Sequence, residues 1–222
     1  MLPPLFVINL KKSVDRLTSV DTLFKAQGLI IERFEAVDGA MHHLSIREEA
    51  FFRNSDFNFK ILRGVAACAL SHFNLWRHLL SLQANAIIFE DDAEISSDFE
   101  KEFLNHFQPD FDIIFLYNTL NHKGAATNQV MNYSTVQWLG CGAVAYYINA
   151  KACRRLVTRV YECGFDRAVD WFMYSFVNEL KIGYTLLPLV KHLSKFSSTI
   201  ADRNSCTNKI TQPETDGIHK NI

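Results

Sequence analysis

Three consecutive carboxylates, Glu90, Asp91 and Asp92, are the residues of this sequence best suited to chemistry. They directly follow the apolar run 86–89, which predicts a buried strand, so they lie where that strand ends. Alternation along a strand would turn Glu90 and Asp92 to one side and Asp91 to the other. Carboxylate oxygens suit Mg²⁺ or Mn²⁺, and such an ion would hold a diphosphate. A solvated turn before the next helix is as common for an acid cluster, and the position at a strand end favours the metal site.

Further candidate residues lie at the predicted ends of other elements. Asp170 precedes Trp171, and an acid at a helix start is usually a cap. In a sugar-binding cleft, the Trp171 ring could pack on a pyranose while the Asp170 carboxylate accepts a hydroxyl proton. Arg16 and Asp38 follow the first and second predicted strands and could contact phosphate and ribose, although each is a surface residue by default. His192 follows a late strand and could complete a metal shell, a role that few lone histidines fill.

Several common catalytic patterns are absent or unsuitable. Ser71 and His72 are adjacent on a predicted helix, where neighbouring side chains point about 100° apart and form no nucleophile–base pair. His72 has apolar neighbours, which favours a structural role over a catalytic one. The sequence contains no G-x-G-x-x-G, G-x-x-x-x-G-K-[ST] or H-E-x-x-H motif, which argues against the usual dinucleotide oxidoreductases, P-loop proteins and zinc proteases.

Strands and helices alternate along the chain. Apolar runs predict strands at residues 5–10, 30–37, 86–89, 111–117, 140–148 and 184–187, with helices beginning near residues 13, 45, 64, 97, 149 and 170. The first strand, helix and second strand form a βαβ unit of about thirty residues. This order predicts an α/β fold with a mainly parallel sheet and helices on both faces. Such sheets bind ligands at the carboxyl ends of their strands.

Capping residues and one long polar segment complete the local predictions. Ser45 with Glu48 and Ser97 with Glu100 are predicted capping boxes, and Asn149 is a predicted N-cap. The polar segment 118–132 has no periodicity and is expected to be a loop that folds over a ligand.

The composition favours one compact protein without a nucleic-acid surface. Of 222 residues, 48% are hydrophobic, and 23 basic against 24 acidic residues leave a net charge of −1. That balance argues against a polycationic surface for nucleic acid. Five cysteines without a C-x-x-C pair favour a reducing compartment, and the first apolar stretch lacks the charge of a signal peptide. We expect one domain over residues 1–200, a polar tail over 201–222 and a cytoplasmic location, with peripheral contact at the inner face of the cytoplasmic membrane left open.

Five short segments, in order, resemble glycosyltransferase family 25, which includes bacterial lipopolysaccharide and lipooligosaccharide sugar transferases and collagen galactosyltransferases. The segments are Val-Ile-Asn-Leu at 7–10 with Arg16, Glu-Ala-Val-Asp-Gly at 35–39, Cys-Ala-Leu-Ser-His at 68–72 with Trp76, Ile-Phe-Glu-Asp-Asp-Ala at 88–93, and Asp-Trp at 170–171. They span most of the chain. Two positions depart from the usual family pattern: Leu17 stands where a second arginine is common, and Val65 where a glutamate is common.

The resemblance implies a GT-A-like nucleotide-binding fold and an inverting single displacement. A sugar, most commonly galactose, would pass from a UDP-sugar donor to a hydroxyl of a lipid-linked oligosaccharide acceptor. Asp92 would be the direct ligand of Mn²⁺ or Mg²⁺, with His192 as a weaker candidate from its position, and Asp170 would be the base. The residues expected to contact the nucleotide sugar are Asn9, Arg16, Asp38, Glu90 and Asp91.

Two other classes of function fit parts of the pattern. Leu17 and Val65 leave open a catalytically silent relative that binds sugars or partners and would release no UDP, although the intact carboxylates and Asp170 predict activity. Paired carboxylates beside a nucleotide pocket also occur in metal-dependent nucleotidyltransferases, which would release pyrophosphate from a nucleoside triphosphate.

Overall fold

A computed structural model describes residues 1–53, 63–119, 129–132 and 142–193. The strands are β1 (Leu5–Asn9), β2 (Glu32–Glu35), β3 (Ala86–Glu90), β4 (Ala93–Ile95), β5 (Ile113–Phe115), β6 (Val130–Asn132), β7 (Ala145–Ile148), β8 (Ile182–Thr185) and β9 (Val190–His192). The helices are α1 (Val14–Lys25), α2 (Ile46–Ala50), α3 (Arg63–Leu82), α4 (Phe99–His106), α5 (Ala150–Cys163) and α6 (Val169–Tyr174). None of the helices in these ranges combines the length and hydropathy that a membrane span needs.

Seven strands form one sheet in the order β2-β1-β3-β7-β5-β8-β6, and β4 and β9 form a separate two-stranded ribbon. β1 pairs in parallel with β2 and β3, and β5 pairs in parallel with β8. β7 and β6 run antiparallel to their neighbours. Most strands of the sheet therefore point the same way, which confirms the predicted α/β class with a mainly parallel sheet. The antiparallel β7 at its centre was not predicted.

Helices cover both faces of the sheet, as predicted. On one face, Phe24 of α1 and Phe99 of α4 pack edge-on against Phe89 of β3, with ring centroids 4.9 and 5.7 Å away. On the other face, α3, α5 and α6 share a core in which Trp76 stacks on Phe172. Neighbouring strand residues alternate between the two cores. The strands are therefore covered on both sides, which explains their continuous apolar runs.

Two of the predicted helix caps form as expected. The Ser45 hydroxyl accepts a hydrogen bond from the Glu48 backbone N–H, and the Glu48 carboxylate accepts one from the Ser45 backbone N–H. The Asn149 side chain accepts a hydrogen bond of 2.8 Å from the backbone N–H of Ala152. Both interactions satisfy N–H groups that the first helical turn leaves without intrahelical partners.

The capping box predicted at Ser97 is wrong. The residue before α4 is Asp98, and its side chain makes no cap hydrogen bond. Instead, the Ser96 hydroxyl donates to a Glu102 carboxylate oxygen 2.7 Å away, and the Gln27 side chain accepts from the Phe99 backbone N–H. A side chain from a distant element therefore replaces the local cap that the sequence pattern predicts.

The loop predicted over residues 118–132 is only partly correct. Residues Val130–Asn132 form β6, which pairs antiparallel with β8 at the edge of the sheet. Residues 120–128 lie outside the described residues, as does the predicted tail 201–222. The division into a domain over 1–200 and a tail therefore stays a prediction.

Asp112, just before β5, joins three segments of the chain. Its carboxylate accepts hydrogen bonds from Asn149 Nδ2, Lys151 Nζ and the Lys181 backbone N–H at 3.0, 2.8 and 2.9 Å. Burial opposes ionisation of this carboxyl, but the three hydrogen bonds together lower its pKa below the ordinary value. The charged form is therefore stabilised in the folded protein.

We expect Asp112→Asn to lower the free energy of unfolding near pH 7 by about 1.5–3 kcal/mol, because it loses hydrogen bonds to a charged acceptor. A lowered folded pKa contributes stability above the unfolded value, and that contribution is lost as the pH falls through the folded value. The difference between variant and wild type should therefore shrink in acid, which urea unfolding at several pH values would measure. Asp110→Asn is the control, since Asp110 is exposed. Equal losses at pH 7 and pH 2.5 would contradict the prediction.

Candidate active site

The candidate site lies at the carboxyl ends of two neighbouring parallel strands. Asn9 is the last residue of β1 and Glu90 the last of β3, and Ile8 is the register partner of Glu90. Asp91 and Asp92 form the turn that follows β3, and each is 8% exposed. α1 begins at the same edge, five residues after β1. The strand order thus brings together the carboxylates and the first turn of a helix.

Arg16, in the first turn of α1, lies between two of the three carboxylates. Its Nε is 3.0 Å from Asp91 Oδ1, and its Nη2 donates to Asp92 Oδ2 at 2.7 Å. Arg16 is only 5% exposed. The Asn9 amide donates to Asp91 Oδ2 at 2.8 Å and to the Ser13 carbonyl at 3.0 Å. Asn9 and Arg16, both predicted to contact nucleotide sugar, therefore hold the acidic turn in place.

The alternation predicted for Glu90, Asp91 and Asp92 does not describe their side chains. Asp91 and Asp92 share the Arg16 guanidinium, whereas Glu90 Oε1 faces His72 Nε2 at 3.4 Å. The prediction was wrong because β3 ends at Glu90, and the next two residues turn. Period-two alternation applies only within the strand.

Glu90, Asp91 and Asp92 form an acidic edge at the end of β3, which carries more negative than positive charge. Asp91 and Asp92 share one guanidinium, and Glu90 adds a third carboxylate whose charge acts on both of them. Burial, with the neighbouring carboxylates adding to it and Arg16 opposing it, raises the pKa of Asp91 to about 6. Burial and then the charge of Glu90 raise the pKa of Asp92. Asp92 Oδ1 is buried and has no hydrogen-bond partner among the described residues. A cation placed beside this oxygen would relieve both the charge and the missing interaction.

His192 reaches the same edge through a short ribbon. β4 directly follows the acidic turn and pairs antiparallel with β9, with Ala93 opposite His192. The Leu193 backbone N–H also donates to the Asp92 carbonyl at 2.7 Å. This pairing places His192 Nε2 3.1 Å from Asp92 Oδ2. The structure therefore brings together Asp92 and His192, the two residues predicted as metal ligands.

Glu90 contacts Cys68 and His72, a pair of α3 residues that the sequence analysis did not connect with it. Cys68 Sγ lies 3.7 Å and His72 Nε2 3.4 Å from Glu90 Oε1. The other ring nitrogen, His72 Nδ1, is 2.7 Å from the Tyr146 hydroxyl, which accepts a hydrogen bond from Trp76 Nε1. The sequence contained one signal for this cluster: the four-residue spacing of Cys68 and His72, which places both on one face of a helix.

Asp38 lies beyond the end of β2. Its carboxylate pairs with Lys12 Nζ at 2.6 Å and accepts from the Ala40 backbone N–H at 3.0 Å. The hydrogen bond from Lys12 is the main cause that lowers the Asp38 pKa. The residues on either side of it, Val37 and Gly39, line a cavity of about 280 Å³ that extends to the start of α3. Asp38, the residue predicted to contact ribose, therefore lies between two residues that line a cavity.

Asp170 occupies the first turn of α6, as predicted. Its Oδ1 accepts a hydrogen bond of 2.9 Å from the Trp171 backbone N–H, and Trp171 is 38% exposed. α6 is held against α3 by the stacking of Phe172 on Trp76. These contacts place Asp170 on an element separate from the acidic turn, beside an aromatic ring that is open to solvent. Its catalytic role stays a prediction.

The chain is similar to several known proteins. Lipooligosaccharide biosynthesis protein lic2B of Haemophilus influenzae is 26% identical over 189 residues, covering 78% of this chain and 70% of that protein. Human procollagen galactosyltransferase 2 is 25% identical over 125 residues, which are 50% of this chain and 20% of the human protein. The crystal structure of A197 from STIV aligns with a TM-score of 0.47 and 14% identity, covering 89% of this chain and 87% of that one.

The conserved pattern of one family matches most of the sequence. The model of glycosyltransferase family 25 (LPS biosynthesis protein) matches residues 2–173. The matched range includes Arg16, the carboxylates after β3 and Asp170, and it ends before β9. This chain belongs to glycosyltransferase family 25.

Proposed function

We propose that this glycosyltransferase moves galactose from UDP-galactose to a hydroxyl of a lipopolysaccharide or lipooligosaccharide glycan, with inversion and with Mn²⁺ or Mg²⁺. The observation that carries the proposal is the buried acidic edge at the carboxyl ends of β1 and β3, where Arg16 bridges Asp91 and Asp92. Parallel sheets bind nucleotides at this edge. The name of lic2B supports a lipooligosaccharide acceptor, and that of the human relative supports galactose as the donated sugar.

The residues of the edge fit a divalent cation. Asp92 Oδ1 is a buried oxygen without a hydrogen-bond partner among the described residues, and His192 Nε2 lies beside the other oxygen of the same carboxylate. Carboxylate and imidazole together suit Mn²⁺, and carboxylate alone suits Mg²⁺. Asp92 and His192 would hold the ion, which when bound supplies positive charge to a departing diphosphate. Arg16 remains with Asp91 and keeps the turn in position.

The chain's own groups have distinct tasks in a single displacement. Asp170 accepts the proton of the acceptor hydroxyl as that oxygen attacks the anomeric carbon, and Trp171 offers a ring face to the sugar. Asp38 lies beside the cavity near β2, where a ribose hydroxyl could bind to its carboxylate. Asn9 and Arg16 fix the acidic turn through Asp91.

A UDP-release assay tests the function directly. The protein is incubated with a panel of UDP-sugars, with and without Mn²⁺, and we expect slow, metal-dependent UDP release with UDP-galactose as the preferred donor. A silent sugar-binding relative would release no UDP from any donor. A nucleotidyltransferase would release pyrophosphate from a nucleoside triphosphate instead. Either outcome would overturn the proposal.

Asp92→Asn is expected to abolish the gain in UDP affinity that Mn²⁺ produces, because the substitution removes the carboxylate charge that would bind the metal. Affinity is measured by titrating UDP calorimetrically at several Mn²⁺ concentrations. Glu100→Gln is the control, since this exposed acid on α4 lies outside the site. A variant that keeps the wild-type metal dependence would assign the ligand role to another residue.

A further inference from the structure

A second set of donor atoms lies on the α3 side of the acidic edge. Cys68 and His72 are one helical turn apart on α3, and Glu90 approaches them from the end of β3. Cys68 Sγ, a ring nitrogen of His72 and a Glu90 carboxylate oxygen all lie within 4.8 Å of one another. In the described part of the chain, this is the one group of at least three histidine, cysteine or acidic residues with such spacing.

Two of the three separations between these donor atoms match a tetrahedral metal centre. Zinc binds sulfur at about 2.3 Å, and imidazole nitrogen or carboxylate oxygen at about 2.0–2.2 Å, so donors on a tetrahedron are about 3.3–3.6 Å apart. His72 Nε2 is 3.4 Å and Cys68 Sγ 3.7 Å from Glu90 Oε1. An ion bound to all three would therefore need movements of only a few tenths of an ångström at these two separations. Three protein ligands leave the fourth position open to water.

His72 has the outer partner that a metal-binding imidazole requires. Its Nδ1 lies 2.7 Å from the Tyr146 hydroxyl, and Trp76 donates to that hydroxyl at 2.9 Å. A phenolic oxygen has two lone pairs, so it can accept from Trp76 and from His72 Nδ1–H together. In the tautomer with its proton on Nδ1, His72 Nε2 carries no proton and faces Glu90. The outer hydrogen bond then orients the ring and strengthens its basicity.

Access and charge also suit a divalent cation. The His72 side chain is 1% exposed, whereas the Glu90 side chain is 23% exposed and Cys68 is half-buried, so an ion can enter from the Glu90 side. A cysteine thiolate, a carboxylate and a neutral imidazole carry a charge of −2, which one divalent ion balances. The thiolate distinguishes this group from the Asp92 and His192 pair, because sulfur prefers zinc over magnesium or manganese.

We propose that Cys68, His72 and Glu90 form a separate metal site selective for thiophilic divalent cations of the Zn²⁺ class. Binding forms bonds from the metal to sulfur, nitrogen and oxygen, displaces water from the ion and releases the thiol proton of Cys68 to solvent. The site shares Glu90 with the acidic edge but uses neither Asp92 nor His192.

Titration of the metal-free, full-length protein with Co²⁺ tests this site, because cobalt replaces zinc and reports its ligands by colour. We expect one equivalent to give a thiolate-to-cobalt charge-transfer band and the strong visible bands of tetrahedral cobalt, both removed by one equivalent of Zn²⁺. Cys68→Ser should lose the charge-transfer band. Cys163→Ser, which alters an exposed cysteine, should keep it. Far-ultraviolet circular dichroism verifies that each variant is folded.

Two further variants keep the test decisive. If Cys68→Ser does not fold, Glu90→Gln replaces it and should weaken Co²⁺ binding at least tenfold. Asp92→Asn should lose metal-dependent UDP binding but retain the cobalt–thiolate band. This variant therefore distinguishes a failure of the proposed sugar transfer from a failure of the proposed metal site. A folded wild type without the band, a band that survives in folded Cys68→Ser, or a Co²⁺ affinity of Glu90→Gln within tenfold of the wild type would overturn the proposal.

Discussion

Replacing Arg16 by methionine is expected to lower the free energy of unfolding at pH 8 by about 3–5 kcal/mol, because the change removes the guanidinium that two buried carboxylates share. Arg16 and both aspartates are nearly inaccessible to solvent, and the guanidinium contacts Asp91 and Asp92 at 3.0 and 2.7 Å. Methionine retains most of the side-chain length, so the effect isolates the charge. Urea unfolding followed by circular dichroism gives the measurement.

The pH dependence of this variant separates lost charge from lost packing. Burial already raises the pKa of Asp91 to about 6 with Arg16 present, and removal of the arginine raises it further. At pH 5 the carboxyl takes up a proton and needs no cation, so the deficit of Arg16→Met should shrink as the pH falls from 8 to 5. A deficit independent of pH would contradict the electrostatic explanation.

Lys12→Met provides the matched control for the same charge change at an exposed position. The Lys12 side chain is 59% exposed and pairs with Asp38 outside the acidic turn. Such surface pairs contribute about 0–1 kcal/mol to the free energy of unfolding. The free energy of unfolding of this variant should therefore be close to that of the wild type. A loss as large as that of Arg16→Met would show that the edge tolerates no change of charge in general.

Asp170→Asn is expected to lower the rate of sugar transfer by about 10²–10⁴-fold, the usual contribution of a positioned general base. Asparagine can still accept the hydrogen bond from the Trp171 backbone N–H, so α6 should remain folded. The turnover number is measured by UDP release with an oligosaccharide acceptor, and UDP binding is measured in parallel. UDP affinity should be unchanged, because the lost group acts on the acceptor hydroxyl.

Asp166→Asn serves as the control for this prediction, since Asp166 is a nearby acid that pairs with Arg167. It should turn over at the wild-type rate. If Asp170→Asn does so as well, the base must be another residue. If Asp170→Asn instead loses UDP binding, Asp170 contributes to donor recognition.

The elements that build the acidic edge were predictable because their signals are local. The apolar runs 5–10 and 86–89 correspond to β1 and β3, and the βαβ unit implied that β1 and β2 are parallel neighbours. The direction of β7 was not predictable, because a buried strand has the same apolar pattern whether it runs parallel or antiparallel.

The site was predictable to the extent that its residues follow strands in sequence. The acidic turn comes directly after β3, and Arg16 lies in the first turn of the helix that follows β1. Their position at one edge of the sheet could therefore be inferred. The environment of His72 could not, because its partner Tyr146 lies on β7, whose place next to β3 is set by the whole sheet order. β4 and β9, with three residues each, are too short for a periodicity signal.

The ribbon of β4 and β9 also sets an order of events during synthesis. A chain leaves the ribosome amino end first, so β1, α1, β3 and the acidic turn have all emerged before β9 is made. His192 therefore joins Asp92 only when nearly all of the described residues are present. A nascent chain arrested before β9 would carry the carboxylates without their imidazole, so a complete edge appears only on a chain translated through β9.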